Sequence, residues 1–343
     1  MSDLYLDGKF SRNAFINGKE YLFFSGYDYL SIHENKDFLQ LLNEGLRKYG
    51  WLYASARISN TKIDLFEKCE AYLSELTESE ATVLYGSGFS SGQAITQLFE
   101  SNLENSPFSH PAILKKKNTE KDVRKWQQTC AETIQSGTYP TFASDTVNNF
   151  YVEKYDFNFL QTLDQSANFI LDDSHGFGIT GVDGKGVSSY IQKAKNINYS
   201  YTYSLGKAFG IGAGAVSTTR EIANQLHKQP SFAAVTPPPP AQLYAFLHAN
   251  EIYLTQLEKL KANIQLMAQL FEGIEDIKLH PELPLALLPS SLNETDFLKE
   301  NCIISSFAYP DPKGPKLNRL VINAAHTEND LEKITKLVKK YLS

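Results

Sequence analysis

Cysteine is scarce. Cys69, Cys130 and Cys302 are widely spaced and form no metal-ligand pattern, so they read as buried, inert thiols of a protein kept in a reducing cytoplasm. No apolar run is long enough to span a bilayer. The opening residues, Met1 to Asp7, lack the basic region and apolar run of a secretory leader. A surplus of positive charge is also missing. Lys and Arg number 33 against 39 Asp and Glu, a net charge of -6, which argues against a nucleic-acid footprint. There is no internal repeat, and Pro237-Pro238-Pro239-Pro240 is the one low-complexity segment.

What is present is an ordinary soluble composition, 42% hydrophobic and 21% charged, in 343 residues. That length accommodates one large α/β domain and a smaller one. Phe15 to Phe24 reads as a hairpin around Asn17-Gly18. Phe38, Leu41, Leu42, Leu46 and Tyr49 repeat with helical spacing behind Asn35, a candidate cap. A polar link from Ala54 to Thr61 leads to a second helix with Phe66, Cys69, Leu73 and Leu76 as its buried stripe. Strands and helices then alternate, as in a mostly parallel sheet. Strands are predicted at Glu80 to Tyr85, Thr141 to Val147, Phe169 to Leu171, Ile197 to Tyr203 and Ile211 to Ser217. Beyond the prolines the pattern predicts one helix from Ala241 to about Phe271. The last seventy residues read as strand, helix, strand, strand, helix, the final helix starting near a capping box at Thr327 to Asp330.

Two stretches carry chemistry. Ile197 to Tyr203 is a buried strand that stops at Ser204-Leu205-Gly206-Lys207, with Ala208-Phe209-Gly210-Ile211-Gly212 following. Packing has no use for a lysine there. A desolvated lysine loses proton affinity and becomes an amine nucleophile, while the glycines let the backbone approach a bound group. The second stretch, Phe169 to Leu171, ends in Asp172-Asp173-Ser174-His175, where ligands of open α/β sheets gather. A carboxylate there needs a cation or a protonated ring nitrogen. Asp-x-x-His also suits two metal ligands, but no third lies nearby. Gly86-Ser87-Gly88-Phe89 turns into a helix whose start is an anion site, although a tight turn explains its glycines as well. Lysine, aspartate, histidine and anion site together fit pyridoxal phosphate, which needs a lysine amine, an acid for its pyridine nitrogen and a phosphate cradle.

These motifs resemble those of the α-oxoamine synthases. Asp172-Asp173-Ser174-His175-Gly176-Phe177-Gly178 with Gly184-Lys185-Gly186 is similar to that family's Asp-Asp-Ala-His-Gly-x-Gly…Gly-x-Gly. Ser204 to Gly210 resembles Thr-x-Gly-Lys-Ala-Phe-Gly, and Asn323-Ala324-Ala325-His326-Thr327-Glu328 resembles Ser-Ala-Ala-His-Thr-Glu. The resemblance implies a fold-type-I pyridoxal phosphate transferase: a large, mostly parallel sheet domain flanked by helices, and a smaller C-terminal α+β domain. It divides the chain into an N-terminal arm and helix (1–50), a cofactor domain (51–240) and the small domain (241–343). The implied activity condenses a small amino acid with an acyl-CoA or acyl-carrier thioester, losing carbon dioxide, in a homodimer with shared active sites.

Carried over by position, Lys207 would carry the cofactor and remove the α-proton. Asp172 would pair with the pyridine nitrogen, His175 with the ring hydroxyl, and His110 would stack on the ring. Ser87, Gly88, Phe89 and Ser204 match the phosphate site, and Thr236 matches a phosphate contact from the neighbouring subunit. Arg319 matches the clamp on the amino-acid carboxylate, with Tyr27 and Asn149 also on the substrate side. Arg57 matches a family arginine, with a structural salt bridge as its competitor. The departures fall near substrate: Tyr27 replaces an asparagine, and Asp145-Thr146-Val147-Asn148-Asn149 replaces Glu-x-Val-x-Ser. Another pyridoxal phosphate reaction, such as aminotransfer or aldol cleavage, and a regulatory subunit that has lost acyl transfer remain alternatives. Lys115-Lys116-Lys117 reads either as a CoA phosphate contact or as a solvated basic face.

Overall fold

The computed structural model describes residues 4–115, 118, 120–137, 139–308 and 313–342. Lys116 and Lys117 lie outside them, and Lys115 donates to Gln93 Oε1 at 3.2 Å. Strands β1 (Asn13–Ile16) and β2 (Lys19–Phe24) form the expected hairpin. Asn17 and Gly18 take φ of 52° and 73°, the left-handed pair that a two-residue turn requires. Helix α1 (Lys36–Tyr49) starts where Asn35 accepts the N–H of Phe38. Helix α2 (Leu65–Leu76) buries Phe66, Cys69 and Leu73, with Leu76 half-buried.

Arg57, in the link between these helices, is buried and makes a salt bridge. Its Nη2 meets both carboxylate oxygens of Glu70 at 3.0 Å, and Glu70 also accepts the N–H of Leu84 at 2.9 Å. The link is thereby tied to α2 and to the first strand of the main sheet. Arg57→Ala would strand a buried carboxylate, and is expected to lower stability by about 3 kcal/mol. Urea titration should show a lower midpoint with an unchanged slope.

The main sheet takes β3 (Ala81–Tyr85), β4 (Leu103–Asn105), β5 (Thr141–Asp145), β8 (Ala167–Asp172), β9 (Ile197–Ser204) and β10 (Gly214–Thr218). Between them lie α3 (Gly88–Leu98), α4 (Val123–Gln135) and a small ribbon of β6 (Val147–Asn148) with β7 (Glu153–Lys154). The strand order is β3-β10-β9-β8-β5-β4, with β4, β5, β8 and β9 mutually parallel and β10 antiparallel to both neighbours. Every residue of β8 is buried, as befits a strand covered on both faces. The strand predicted at 141–147 ends at Asp145, and the next residues turn away into the ribbon.

Helices α5 (Arg220–Leu226), α6 (Pro230–Ala233), α7 (Pro240–His248) and α8 (Asn250–Leu270) follow. The single helix expected beyond the prolines is two, broken at Ala249 with φ -104° and ψ 14°. Asn250, a weak helix former, opens the second. The break serves two packing directions. Helix α7 lies on α1, where a Cβ on Gly45 would stand 2.6 Å from the Ala241 carbonyl oxygen. Helix α8 carries buried Leu257, Leu260, Ile264 and Met267 and packs against the C-terminal helix.

The remaining elements are β11 (Lys278–Leu279), β12 (Leu285–Leu288), α9 (Glu294–Lys299), β13 (Cys302–Ala308), β14 (Lys316–Val321) and α10 (Glu328–Leu342). Thr327 N–H donates to Asp330 Oδ2 at 2.8 Å and Asp330 N–H to Thr327 Oγ1 at 3.4 Å, so the capping box forms. The second sheet runs β1-β2-β13-β14-β12-β11, with β2 parallel to β13. The N-terminal hairpin thus extends the C-terminal sheet, a long-range pairing that no local signal announces. The three cysteines are free and buried, and burial pushes their thiols up. Among the described residues no helix is long and apolar enough to cross a membrane.

Candidate active site

Strands β3, β4, β5, β8 and β9 run the same way, so Tyr85, Asn105, Asp145, Asp172 and Ser204 end on one edge. A cavity of about 180 Å³ opens between this edge and the second sheet, lined by His110, Asp145, Asn149, His175, Lys207 and Arg319 and walled by Tyr27, Phe108 and Phe307. Lys207 reaches it from a stiff turn after β9. Leu205 N–H bonds the Ala213 carbonyl at 2.9 Å and Gly206 N–H bonds Ser204 Oγ at 3.2 Å. Gly210, at φ 64°, leaves no space for a side chain: a Cβ would stand 2.9 Å from Ile32 Cβ.

The lysine amine lies 2.6 Å from His175 Nε2 and 5.5 Å from the centre of the Tyr27 ring. Burial lowers its pKa to about 8, against the opposing pull of Asp172 and Asp145. About one amine in ten is then free base at pH 7. The rate at which a neutral aldehyde modifies Lys207 is therefore expected to rise about tenfold from pH 6 to 7 and to level off above about 8, readable by peptide mass spectrometry. A rate still climbing steeply at pH 10 would mean an ordinary exposed lysine.

Of the two carboxylates at the end of β8, Asp173 is structural. It bonds the Thr146 hydroxyl and accepts the N–H of Val187 at 2.8 Å, and burial pushes it up to about 7. Asp172 is buried with one oxygen on the Ser174 N–H at 3.0 Å. His175 is held well below its usual range, by burial first and by Lys207 second, so its imidazole is neutral. Burial likewise lowers His110. Its Nδ1 accepts the N–H of Ala112 at 3.1 Å, which leaves the proton of the neutral ring on Nε2.

Asp145 is a site residue that the sequence reading missed. It stands opposite Asp172 in the β5–β8 register and accepts the N–H of His110 at 2.8 Å. Burial and repulsion from Asp172 hold it well above the usual carboxylate range. The signal available was a carboxylate at the first position of the stretch that replaces Glu-x-Val-x-Ser, hidden because the strand was expected to run on to Val147.

Arg319, on β14, is buried. One Nη donates to the Asn149 carbonyl at 3.3 Å and the guanidinium lies 5.2 Å from the Phe307 ring centre. Among the described residues its Nε and the side-chain oxygen of Asn149 have no partner. An unpaired buried guanidinium nitrogen beside a cavity calls for an anion with two oxygens. Tyr27, half-buried, turns its ring edge-on to His175 at 5.3 Å.

The turn that opens α3 is equally tight. Ser87 caps α3 by accepting the Ser90 N–H at 3.1 Å. A Cβ on Gly88 would come within 2.6 Å of Ser204 Cβ, and one on Gly214 within 2.4 Å of the Gly88 nitrogen. Ser87, Gly88 and Ser204 are thus brought together, with Phe89 exposed beside them. Thr236 is exposed, its carbonyl oxygen 3.2 Å from where a Gly86 Cβ would stand. The residues fit pyridoxal phosphate: an amine of lowered pKa, a buried carboxylate, a neutral imidazole and a helix N-terminus share one strand edge.

The model of the aminotransferase class I and II family matches residues 158–338, more than half of the chain. The chain belongs to that family. Members of the aminotransferase class I and II family are pyridoxal phosphate enzymes, in agreement with the donor set. The chain is 25% identical to 8-amino-7-oxononanoate synthase of Aliivibrio fischeri, over 94% of this chain and 89% of that one. It is 26% identical to a putative 8-amino-7-oxononanoate synthase of Methanococcus vannielii, over 92% and 91%. Serine palmitoyltransferase of Sphingomonas wittichii superposes with a TM-score of 0.84 at 15% identity, covering 98% of this chain and 91% of that one. 8-Amino-7-oxononanoate synthase of Francisella tularensis superposes at 0.76 and 20% identity, covering 94% and 98%. The fold is therefore that of fold-type-I transferases, and the relatives are α-oxoamine synthases, as the motifs imply.

Proposed function

We propose that this protein is a pyridoxal phosphate-dependent acyltransferase that joins a small amino acid to the acyl group of a thioester with loss of carbon dioxide. The observation that carries this reading is one cavity holding a buried amine of lowered pKa, Lys207, and a buried guanidinium with an unpaired nitrogen, Arg319. Asp172 would hold the pyridine nitrogen, His175 the ring hydroxyl and His110 the ring face. Ser87, Gly88, Phe89 and Ser204, with Thr236, would hold the phosphate. Bound there, the cofactor draws electrons from the amino acid's α-carbon. The chain's own residues do the rest. Arg319 binds the carboxylate in bidentate fashion and so fixes the amino acid's orientation. Lys207, a free base above about pH 8, accepts the α-proton. His110 offers an N–H from Nε2. Asn149 and Tyr27 border the substrate, and the aromatic walls exclude water.

The exposed side chains of Phe89 and Val235 flank the phosphate turn and Thr236, which supports a homodimer with shared sites. The three free cysteines fit a reducing cytoplasm. Pimeloyl thioester with alanine, the pair of biotin synthesis, is the first to test, followed by other acyl-CoA and acyl-carrier thioesters. Thiol release that requires both an amino acid and a thioester, with matching carbon dioxide, is the expected result. Amino-group transfer to a keto acid with no need for a thioester would overturn it.

A further inference from the structure

Tyr29 lies just past the end of β2 and is 1% exposed. Its backbone is pinned, its N–H on the Tyr27 carbonyl at 2.8 Å and its own carbonyl on the Ala324 N–H at 2.9 Å. Its hydroxyl stands 2.9 Å from Nδ1 of His175, whose Nε2 stands 2.6 Å from Lys207 Nζ. Phenol, imidazole and amine form one chain from the protein interior to the cavity. Among the described residues no other side chain hydrogen-bonds this imidazole.

We propose that Tyr29 is a positioning residue: its hydroxyl holds Nδ1 of His175 and so decides which imidazole nitrogen carries the proton and what Nε2 presents to Lys207. Its catalytic meaning rests on the function proposed above. A neutral imidazole has one N–H and one lone pair. When Lys207 is protonated, its ammonium donates to Nε2, so the ring proton sits on Nδ1 and donates to the Tyr29 oxygen. When Lys207 is a free base, the Tyr29 hydroxyl donates to Nδ1, and Nε2–H faces the amine. A phenol serves both arrangements because it donates and accepts; a phenylalanine serves neither. The proton can therefore leave Lys207 with no buried nitrogen left unpaired. The Nε2–H form also presents a donor to an acceptor bound beside Lys207, such as the cofactor's ring oxygen.

The other ionisable groups around the pair are Asp172 on β8, Asp145 on β5, His110 on its loop, Arg319 on β14 and Tyr27. They set the local potential, while the Lys207 ammonium fixes the tautomer below the midpoint and the Tyr29 hydroxyl fixes it above. The deciding experiment is nitrogen-15 NMR of His175 in the full-length protein without cofactor, in wild type and Tyr29→Phe, across the Lys207 midpoint near pH 8. The wild-type ring should change from Nδ1–H to Nε2–H as pH rises. In Tyr29→Phe the high-pH state should remain a mixture, with the melting temperature lowered by only a few degrees. With a substrate pair that turns over, kcat should fall about tenfold while KM for each substrate stays within about twofold. A Tyr29→Phe spectrum like that of wild type overturns the proposal, whatever happens to kcat. If Tyr29→Phe does not fold, the wild type alone decides, since a single tautomer at every pH also overturns it. Failure of the wild type to bind pyridoxal phosphate would sink the functional reading instead, because the NMR comparison uses no cofactor.

Discussion

Lys207→Ala is expected to lose at least about a thousandfold in turnover, because the nucleophile and the proton acceptor are the same amine. The variant should fold normally. The lysine stem lines a cavity, and the turn that carries it is held by Leu205, Gly206 and Ile211. The wild type with pyridoxal phosphate should absorb near the visible edge, and the variant should lack that band while its melting temperature holds. Turnover within tenfold of wild type would place the chemistry on another residue.

Arg319→Ala comes next in size. The guanidinium sits in a buried position with an unpaired nitrogen, so a carboxylate bound there is held by charge-assisted bonds in a dry setting. Its loss is expected to raise KM for the amino acid about a hundredfold, from bonds of about 1.5–3 kcal/mol each. KM for the thioester should move little. Arg319→Lys should recover only part of the affinity, since an ammonium cannot make the planar two-point contact. Steady-state kinetics with each substrate varied in turn would check this. A change confined to the thioester KM would move Arg319 to the other substrate.

Much of this site was legible in the sequence because strand ends announce themselves. Lys207 and Asp172 each follow an apolar run that stops at polar and glycine residues, and neighbouring parallel strands bring such ends together. The hairpin at Asn17-Gly18 and the caps at Asn35 and Thr327 were legible for the same local reason. What sequence could not supply was partnership across the chain. Tyr29 and His175 are 146 residues apart, and Asp145 meets His110 through a main-chain bond that no motif encodes. Asp172 and Asp173 look equivalent as adjacent carboxylates. Only the neighbours, Thr146 and Val187 for one and the Ser174 N–H and Asp145 for the other, separate their roles. Helix α4 went unread because its buried residues, Trp126, Cys130 and Ile134, form a thin stripe on an otherwise polar segment. The break at Ala249 is a tertiary decision, imposed by the two directions in which α7 and α8 must pack.

The proposed activity depends on one covalent bond, and borohydride reduction of the protein mixed with pyridoxal phosphate, followed by peptide mass mapping, tests it most directly. The predicted result is a single pyridoxyl group on the peptide that carries Lys207, with much less of it in Asp172→Ala. A protein that stays colourless, or one labelled on surface lysines and not at Lys207, would contradict it.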